Sequence, residues 1–221
     1  MPVLNEAQGI AAALRALAPL LDSGAELVIA DGGSTDATMA LLEAAARTGL
    51  CVIRSAPGRA VQMNAGARQA RGDVLLYLHA DTLLPPNADV LIAQALADGS
   101  SVWGRFDVRI SGNSKLLPVI AALMNLRSRA TGMATGDQAI FMTRAAFDTL
   151  GGFAVQPLME DLEMSRRLLQ LSRPACLRAR VVTSGRRWDS RGVWQTIWLM
   201  WRLRFAYWRG ASPERLAERY R

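Results

Sequence analysis

The sequence predicts an α/β fold: a doubly wound, mostly parallel sheet flanked by helices, with a helical tail at its end. Short apolar runs bounded by turn residues alternate with helix-like segments through the first half, as buried parallel strands joined by crossovers do. A polar residue stands at the end of each run, on the edge where wound sheets hold ligands. Beyond residue 164 the pattern gives way to arginines and aromatics.

In chain order, "MPVL" is a strand stub, shorter than the central strand that should precede a helix over Asn5–Leu21. The natural chain is therefore expected to start upstream of Met1. The helix opens with a capping-box-like Asn5…Gln8. "ELVIAD" (Glu26–Asp31) reads as a strand, then a helix over Ser34–Thr48 begins at a good cap and stops before Gly49, a left-handed terminator. "LCVIR" (Leu50–Arg54), a helix from about Arg59 to Arg71 and "DVLLYLH" (Asp73–His79) continue the alternation. The second half is less regular. Strands are expected over Ser101–Ile110, Gly136–Arg144 and Ala175–Val182, helices over Ser114–Ala130 and Met159–Leu171, and a turn at "LGGF" (Leu150–Phe153).

The 221 residues suffice for one core, divided here into a domain over 1–190 and a basic aromatic tail over 191–221. The net charge of +7 hides an asymmetry: residues 1–164 hold 12 basic and 16 acidic side chains, whereas 165–221 hold 14 arginines against three acids. Such a tail suits an anionic partner or a solvated surface. Cys51 and Cys176 lie far apart in apolar runs and are expected to be reduced core thiols. No signal-peptide pattern opens the sequence and no run reaches the ~18 apolar residues of a membrane span; a cytoplasmic setting is expected. No nucleic-acid recognition motif occurs, so no nucleic-acid partner is expected. The absence of G-x-G-x-x-G after the first strand argues against a dinucleotide dehydrogenase.

The polar residues at the expected strand ends form one set: Asn5 and Glu6, then Asp31, then Gly58 and Arg59, then His79 and Asp81. Singly, each has a plainer reading. A terminal Asp caps turns, Glu6 is an ordinary first-turn acid, Arg59 can be a surface cation, and His79, the only histidine, can simply fill a strand end. Their joint placement on one sheet edge is harder to dismiss.

"PVLNE" (Pro2–Glu6), "DGGSTD" (Asp31–Asp36), "GRAVQMNAGA" (Gly58–Ala67), "HADT" (His79–Thr82) and "MEDLEMSRRL" (Met159–Leu168) follow the order and approximate spacing of family 2 glycosyltransferases with the GT-A fold, which the chain resembles. The tail pattern "RRW…YWRGASPERLAERYR" is similar to that of the small bacterial selenium/radical-SAM-associated glycosyltransferase-like proteins. The resemblance implies an inverting transferase that moves a sugar from a nucleotide-diphosphate sugar, a UDP-sugar above all, to an acceptor hydroxyl. It implies Mn²⁺ or Mg²⁺ held by Asp81 in a D-x-D-like motif, with His79 in place of the first acid. A neutral imidazole can ligate Mn²⁺ or bond a hydroxyl, but it adds no negative charge. The nucleotide would lie against Pro2, Asn5, Glu6, Asp31, Gly32, Gly58, Arg59, His79, Ala80 and Asp81. Asp31 would accept from the base, and Arg59 would donate to the base or diphosphate.

Deprotonating the acceptor needs a positioned carboxylate. The resemblance gives this role to Asp161, with Glu160 orienting it; adjacent acids at a helix start are also favoured by the dipole alone. Asp137 in "GDQ" either shapes the acceptor pocket or makes a turn. Glu163 is expected to pair with Arg166 or Arg167. The alternative to an enzyme is a non-catalytic module of the same fold docked to a membrane or partner.

In "VWQTIWLMWRLRFAYW" (Val193–Trp208), Trp194, Trp198, Trp201, Phe205 and Trp208 fall on one helical face, flanked by Arg202 and Arg204. The helix either packs on the domain or lies in the headgroups of an anionic membrane. The second reading suits a lipid-linked acceptor and a peripheral place on the inner face of the membrane.

Overall fold

The apolar run before Asp31 satisfies its backbone within a sheet. In the computed structural model, which describes residues 1–220 apart from the side chains of Arg187 and Arg191, it forms β2 (Leu27–Asp31), with β1 (Pro2–Val3) and β3 (Leu50–Arg54) parallel on either side. Helices α1 (Ile10–Asp22) and α2 (Thr38–Ala44) make the crossovers, and α3 (Arg59–Gln69) follows β3. α1 buries Ile10, Ala13, Leu17 and Leu21, the expected helical stripe. Buried Gln62 ties α3 to the sheet, its amide donating to the Val3 and Ala30 carbonyls at 2.8 Å each.

Both expected helix starts move. Asn5 takes a left-handed backbone (φ 55°), so the Asn5…Gln8 box does not form and α1 begins after Gly9. The helix expected at Ser34 begins at Thr38. Between them the two loops are stitched together: the Asn5 N–H donates to Ser34 Oγ (2.9 Å), the Thr35 N–H to Asn5 Oδ1 (2.9 Å) and the Glu6 N–H to Thr38 Oγ1 (2.8 Å). The polar groups that resemble caps serve this loop pair instead.

The second half adds β4 (Val74–Leu76), β5 (Thr82–Leu83), α4 (Ala88–Leu96), β6 (Trp103–Ser111), α5 (Leu117–Thr131), β7 (Phe141–Thr143), α6 (Arg144–Leu150), α7 (Glu160–Leu168) and β8 (Ala175–Ser184). These strands form a mixed sheet in the order β4-β7-β6-β8-β5, in which only β6 and β8 run parallel. The strand expected over Asp73–His79 narrows to three residues, and the one over Gly136–Arg144 shrinks to Phe141–Thr143, its start taken by a 3₁₀ turn at Gly136–Gln138. Neither α4 nor β5 was anticipated. Neighbours Phe141 and Met142 on β7 enter different clusters, one with Phe106, Leu117 and Val181, the other with Trp103, Phe147 and Leu168. The sheet is thus covered on both faces. Cys51 and Cys176 are free but only half-buried, strand residues rather than core thiols.

The tail folds as α8 (Arg186–Arg191), α9 (Val193–Trp208) and α10 (Pro213–Tyr220); Arg221, its last residue, lies outside the described residues. Leu203 and Leu216 are buried against Leu158, Met159 and Leu162. The aromatic face of α9 points the other way, its exposure running from 57% at Phe205 to 81% at Trp208. The helix therefore packs on the domain and leaves its aromatics in the open. Arg204 turns inward rather than flanking them.

Candidate functional site

Where β1, α3 and the segment after β4 meet α7 and the tail, they enclose a cavity of about 640 Å³. Pro2, Glu6, Gly58, Arg59, His79, Ala80, Asp81, Glu160 and Asp161 all line it. Nine of the residues singled out in the sequence thus share one cleft.

Asp81 sits between β4 and β5, and its carbonyl accepts from the Ser184 N–H (3.1 Å). Its carboxylate lies 3.6 Å from Arg186, and the same guanidinium is 3.7 Å from Glu6. Arg186 was absent from the expected site, although it opens the "RRW" pattern. At Gly58, the residue before α3, φ is 128°, a backbone that favours glycine; it turns the chain so that Arg59 begins the helix at the cavity wall.

His79 is mostly buried, with Nδ1 3.5 Å from the Asp137 carboxylate. Its ring lies so close to Gly136 that an added Cβ would stand 2.5 Å from it. Gly136 in turn donates its N–H to Asp161 Oδ2 at 2.9 Å, and the Leu162 N–H donates to Oδ1 at 2.7 Å. One 3₁₀ turn thereby locates both the imidazole and the acid. Gly136→Ala is expected to displace the ring and to destabilise the fold by about 1–3 kcal/mol, read as shifted His79 imidazole resonances and a lower melting temperature.

Glu160 is buried, and burial raises its pKa, as does the charge of Asp161; Arg59 and His79 pull it the other way. Asp161, Arg59 and His79 thus all act electrostatically on Glu160. Glu160 holds its proton to higher pH than an ordinary glutamate, so Asp161 is the member of the pair suited to accept one.

Three expected residues stay out of the cavity wall. Asp31 is buried, and its oxygens accept from the N–H groups of Gly33 (3.0 Å) and Ser34 (3.1 Å), which closes the turn. At Gly32 a Cβ would meet the Gln62 amide at 3.0 Å, so packing favours glycine there. Asn5 holds the facing loop, as described above. Asp31 thus caps this turn, the plainer of the readings open to a terminal Asp. Besides Arg186, the sequence reading missed Met200 and Arg204, which reach the cavity from α9; the four-residue spacing of Met200 and Arg204 marks an inward face only once the helix is docked.

Among the described residues no three or more His, Cys, Asp or Glu side chains gather to hold a metal. A hard divalent ion in a nucleotide site needs only one or two carboxylates, since phosphate and water fill its other positions. Asp81, one-third exposed on the cavity wall, with His79 two residues away, fits that requirement.

The family model of glycosyl transferase family 2 matches residues 1–148. An undecaprenyl-phosphate 4-deoxy-4-formamido-L-arabinose transferase of Pseudomonas paraeruginosa is 32% identical over 147 residues, covering 62% of this chain and 43% of that protein. Among solved structures, a mannosyltransferase of Pyrobaculum calidifontis in complex with GDP-Man and Mn²⁺ superposes with a TM-score of 0.66 at 22% identity, over 93% of this chain and 59% of that one. S. aureus TarS 1-349 in complex with UDP-GlcNAc gives 0.63 at 19% identity, over 83% and 56%. The chain thus spans less than half the length of that curated relative and under two-thirds of these structures. The shared fold is the GT-A fold.

Proposed function

We propose, from the premise that this chain belongs to glycosyl transferase family 2, that it moves a sugar from a nucleotide-diphosphate sugar, a UDP-sugar first, to an acceptor hydroxyl with inversion. The observation that carries the reading is the single cleft that brings Arg59, Arg186 and Asp81 together with Asp161. Arg59 and Arg186 would bind the diphosphate by charge-assisted hydrogen bonds. Asp81, with His79, would hold Mn²⁺ or Mg²⁺, which when bound offsets the charge growing on the leaving diphosphate. The bond from the anomeric carbon to the diphosphate oxygen breaks as the acceptor oxygen attacks from the opposite side, and the acceptor's proton passes to Asp161. Glu160, whose burial favours the protonated form, would orient Asp161 or donate to the acceptor. The test is titration with UDP and UDP-sugars, with and without Mn²⁺. Metal-dependent binding is expected; failure to bind any nucleoside diphosphate would sink the reading.

Residues 1–190 act in this reading as the transferase domain, and the tail over 191–221 supplies the acceptor side. The tail pattern supports a place among the small bacterial selenium/radical-SAM-associated members. Among the described residues no helix is long and apolar enough to cross a membrane. The exposed aromatic face of α9 instead suits peripheral docking on an anionic bilayer, with a lipid-linked acceptor. Arg202 stacks 4.3 Å over Trp198 and Arg209 lies 5.8 Å from the Phe205 ring, pairing cations with aromatics as interfacial helices do. α5, whose Arg127 feels the charge of Arg204 on α9, also exposes Val119, Leu123 and Leu126. Flotation with anionic vesicles is expected. At about 1 kcal/mol per basic side chain near such a surface, Arg202→Glu with Arg209→Glu should lower it by at least about tenfold. Unchanged flotation would remove the lipid from this face.

A further inference from the structure

The end of β8 and the segment around Asp81 are locked together. Thr82 pairs with Thr183, their hydroxyls sharing a hydrogen bond of 3.2 Å, and the Ser184 N–H donates to the Asp81 carbonyl. At Gly185 the backbone is pressed on β6, where a Cβ would stand 2.0 Å from the Ser111 carbonyl oxygen. Arg186 follows directly. Its backbone is therefore fixed with respect to Asp81, while its side chain, 60% exposed, is free to move.

From that base Nη2 of Arg186 lies 3.6 Å from Asp81 Oδ2 and 3.7 Å from Glu6 Oε2. Among the described residues no other basic side chain comes within 4.0 Å of either carboxylate. Neither contact is short enough for a hydrogen bond, and exposed pairs of this kind contribute little. The guanidinium is held by charge alone and is easily drawn off.

The place it holds is the one a divalent ion needs. An ion on Asp81 would set two positive charges about 2 Å from the carboxylate, and the guanidinium beside it would repel them. A nucleoside diphosphate changes the balance, because its oxygens can accept from the guanidinium in a charge-assisted pair and also ligate the ion. We propose that Arg186 is a tethered counter-ion: it occupies the cation place at Asp81 in the nucleotide-free protein and passes to the diphosphate, so that the metal enters with the nucleotide rather than ahead of it. This rests on the transferase reading and adds the regulation of its metal site.

The test is calorimetric titration of wild type and Arg186→Gln, with Mn²⁺ alone and with UDP in the presence of chelator. The substitution is expected to tighten Mn²⁺ binding to the nucleotide-free protein by about fivefold or more. It should weaken metal-free UDP binding by about fivefold or more, and the gain in Mn²⁺ affinity that UDP brings should shrink in step. A merely structural arginine would lower both affinities or neither. Arg186→Lys keeps the charge and is expected to restore most of the wild-type Mn²⁺ affinity, which also shows that the position tolerates exchange. Arg59→Gln removes another cavity cation that makes no ion pair with Asp81, and should leave Mn²⁺ affinity within about twofold. An Arg186→Gln protein that binds Mn²⁺ no tighter than wild type would overturn the proposal. So would an equal gain in Arg59→Gln, which would reduce the effect to net charge. Tighter Mn²⁺ binding with unchanged metal-free UDP affinity would refute the passage to the diphosphate. If neither protein binds UDP, the transferase reading falls, and the Mn²⁺ comparison alone decides whether Arg186 competes with an ion.

Discussion

Exchanging Asp161 for asparagine is expected to slow sugar transfer by about 10²–10⁴-fold while UDP affinity stays within about twofold. The substitution preserves shape, and the amide oxygen can still accept one of the two backbone N–H bonds, from Gly136 or Leu162, that hold Asp161. What disappears is the ability to take a proton. Arg59, Arg186 and Asp81 are unchanged in this variant, so nucleotide binding should survive. Glu160 is a poor substitute, because burial favours its protonated form. The measurement is single-turnover transfer beside a UDP titration. A wild-type rate in the variant would end the base assignment and point to a nucleophile that arrives without a proton.

Asp81→Ala is the second large effect. Metal-dependent UDP affinity is expected to fall on the order of 100-fold, or about 2.7 kcal/mol, because Asp81 is the carboxylate assigned to hold the ion. Metal-free binding should fall far less. Arg186, 3.6 Å from Asp81 in the native protein, would lose that partner and remain available to the diphosphate. Isothermal titration with Mn²⁺ and with chelator separates the two contributions. Full metal dependence in the variant would place the ion elsewhere.

The parallel half of the fold was legible in sequence because each strand is a short apolar run punctuated by turn formers, and β2 and β3 keep nearly the expected bounds. Much of the cavity was legible for the same reason, since strand ends converge by topology. Local chemistry was ambiguous where one residue can do two jobs. The residues of "DGGS" suit a ligand loop and a self-closed turn equally, and the buried Asp31 carboxylate joins the turn. Contacts distant in sequence left no periodic trace: His79 against Gly136, or Arg186 beside Asp81. The tail shows the limit most clearly. Its spacing gave the aromatic face, yet the roll of α9 is set by Leu203 sinking against α7 and α10, which carries Arg204 into the cavity.

One consequence follows from α9 serving as a shared wall, with Met200 and Arg204 on the cavity side and Trp194, Trp198 and Trp201 exposed to the outside. A helix with its side chains is about 10–12 Å across. If the tryptophans rest in the headgroups, the reacting oxygen must rise only that far above the lipid plane. The enzyme then works as a height gauge: acceptors with a short stem fall within reach, and those already extended by several sugars overshoot it.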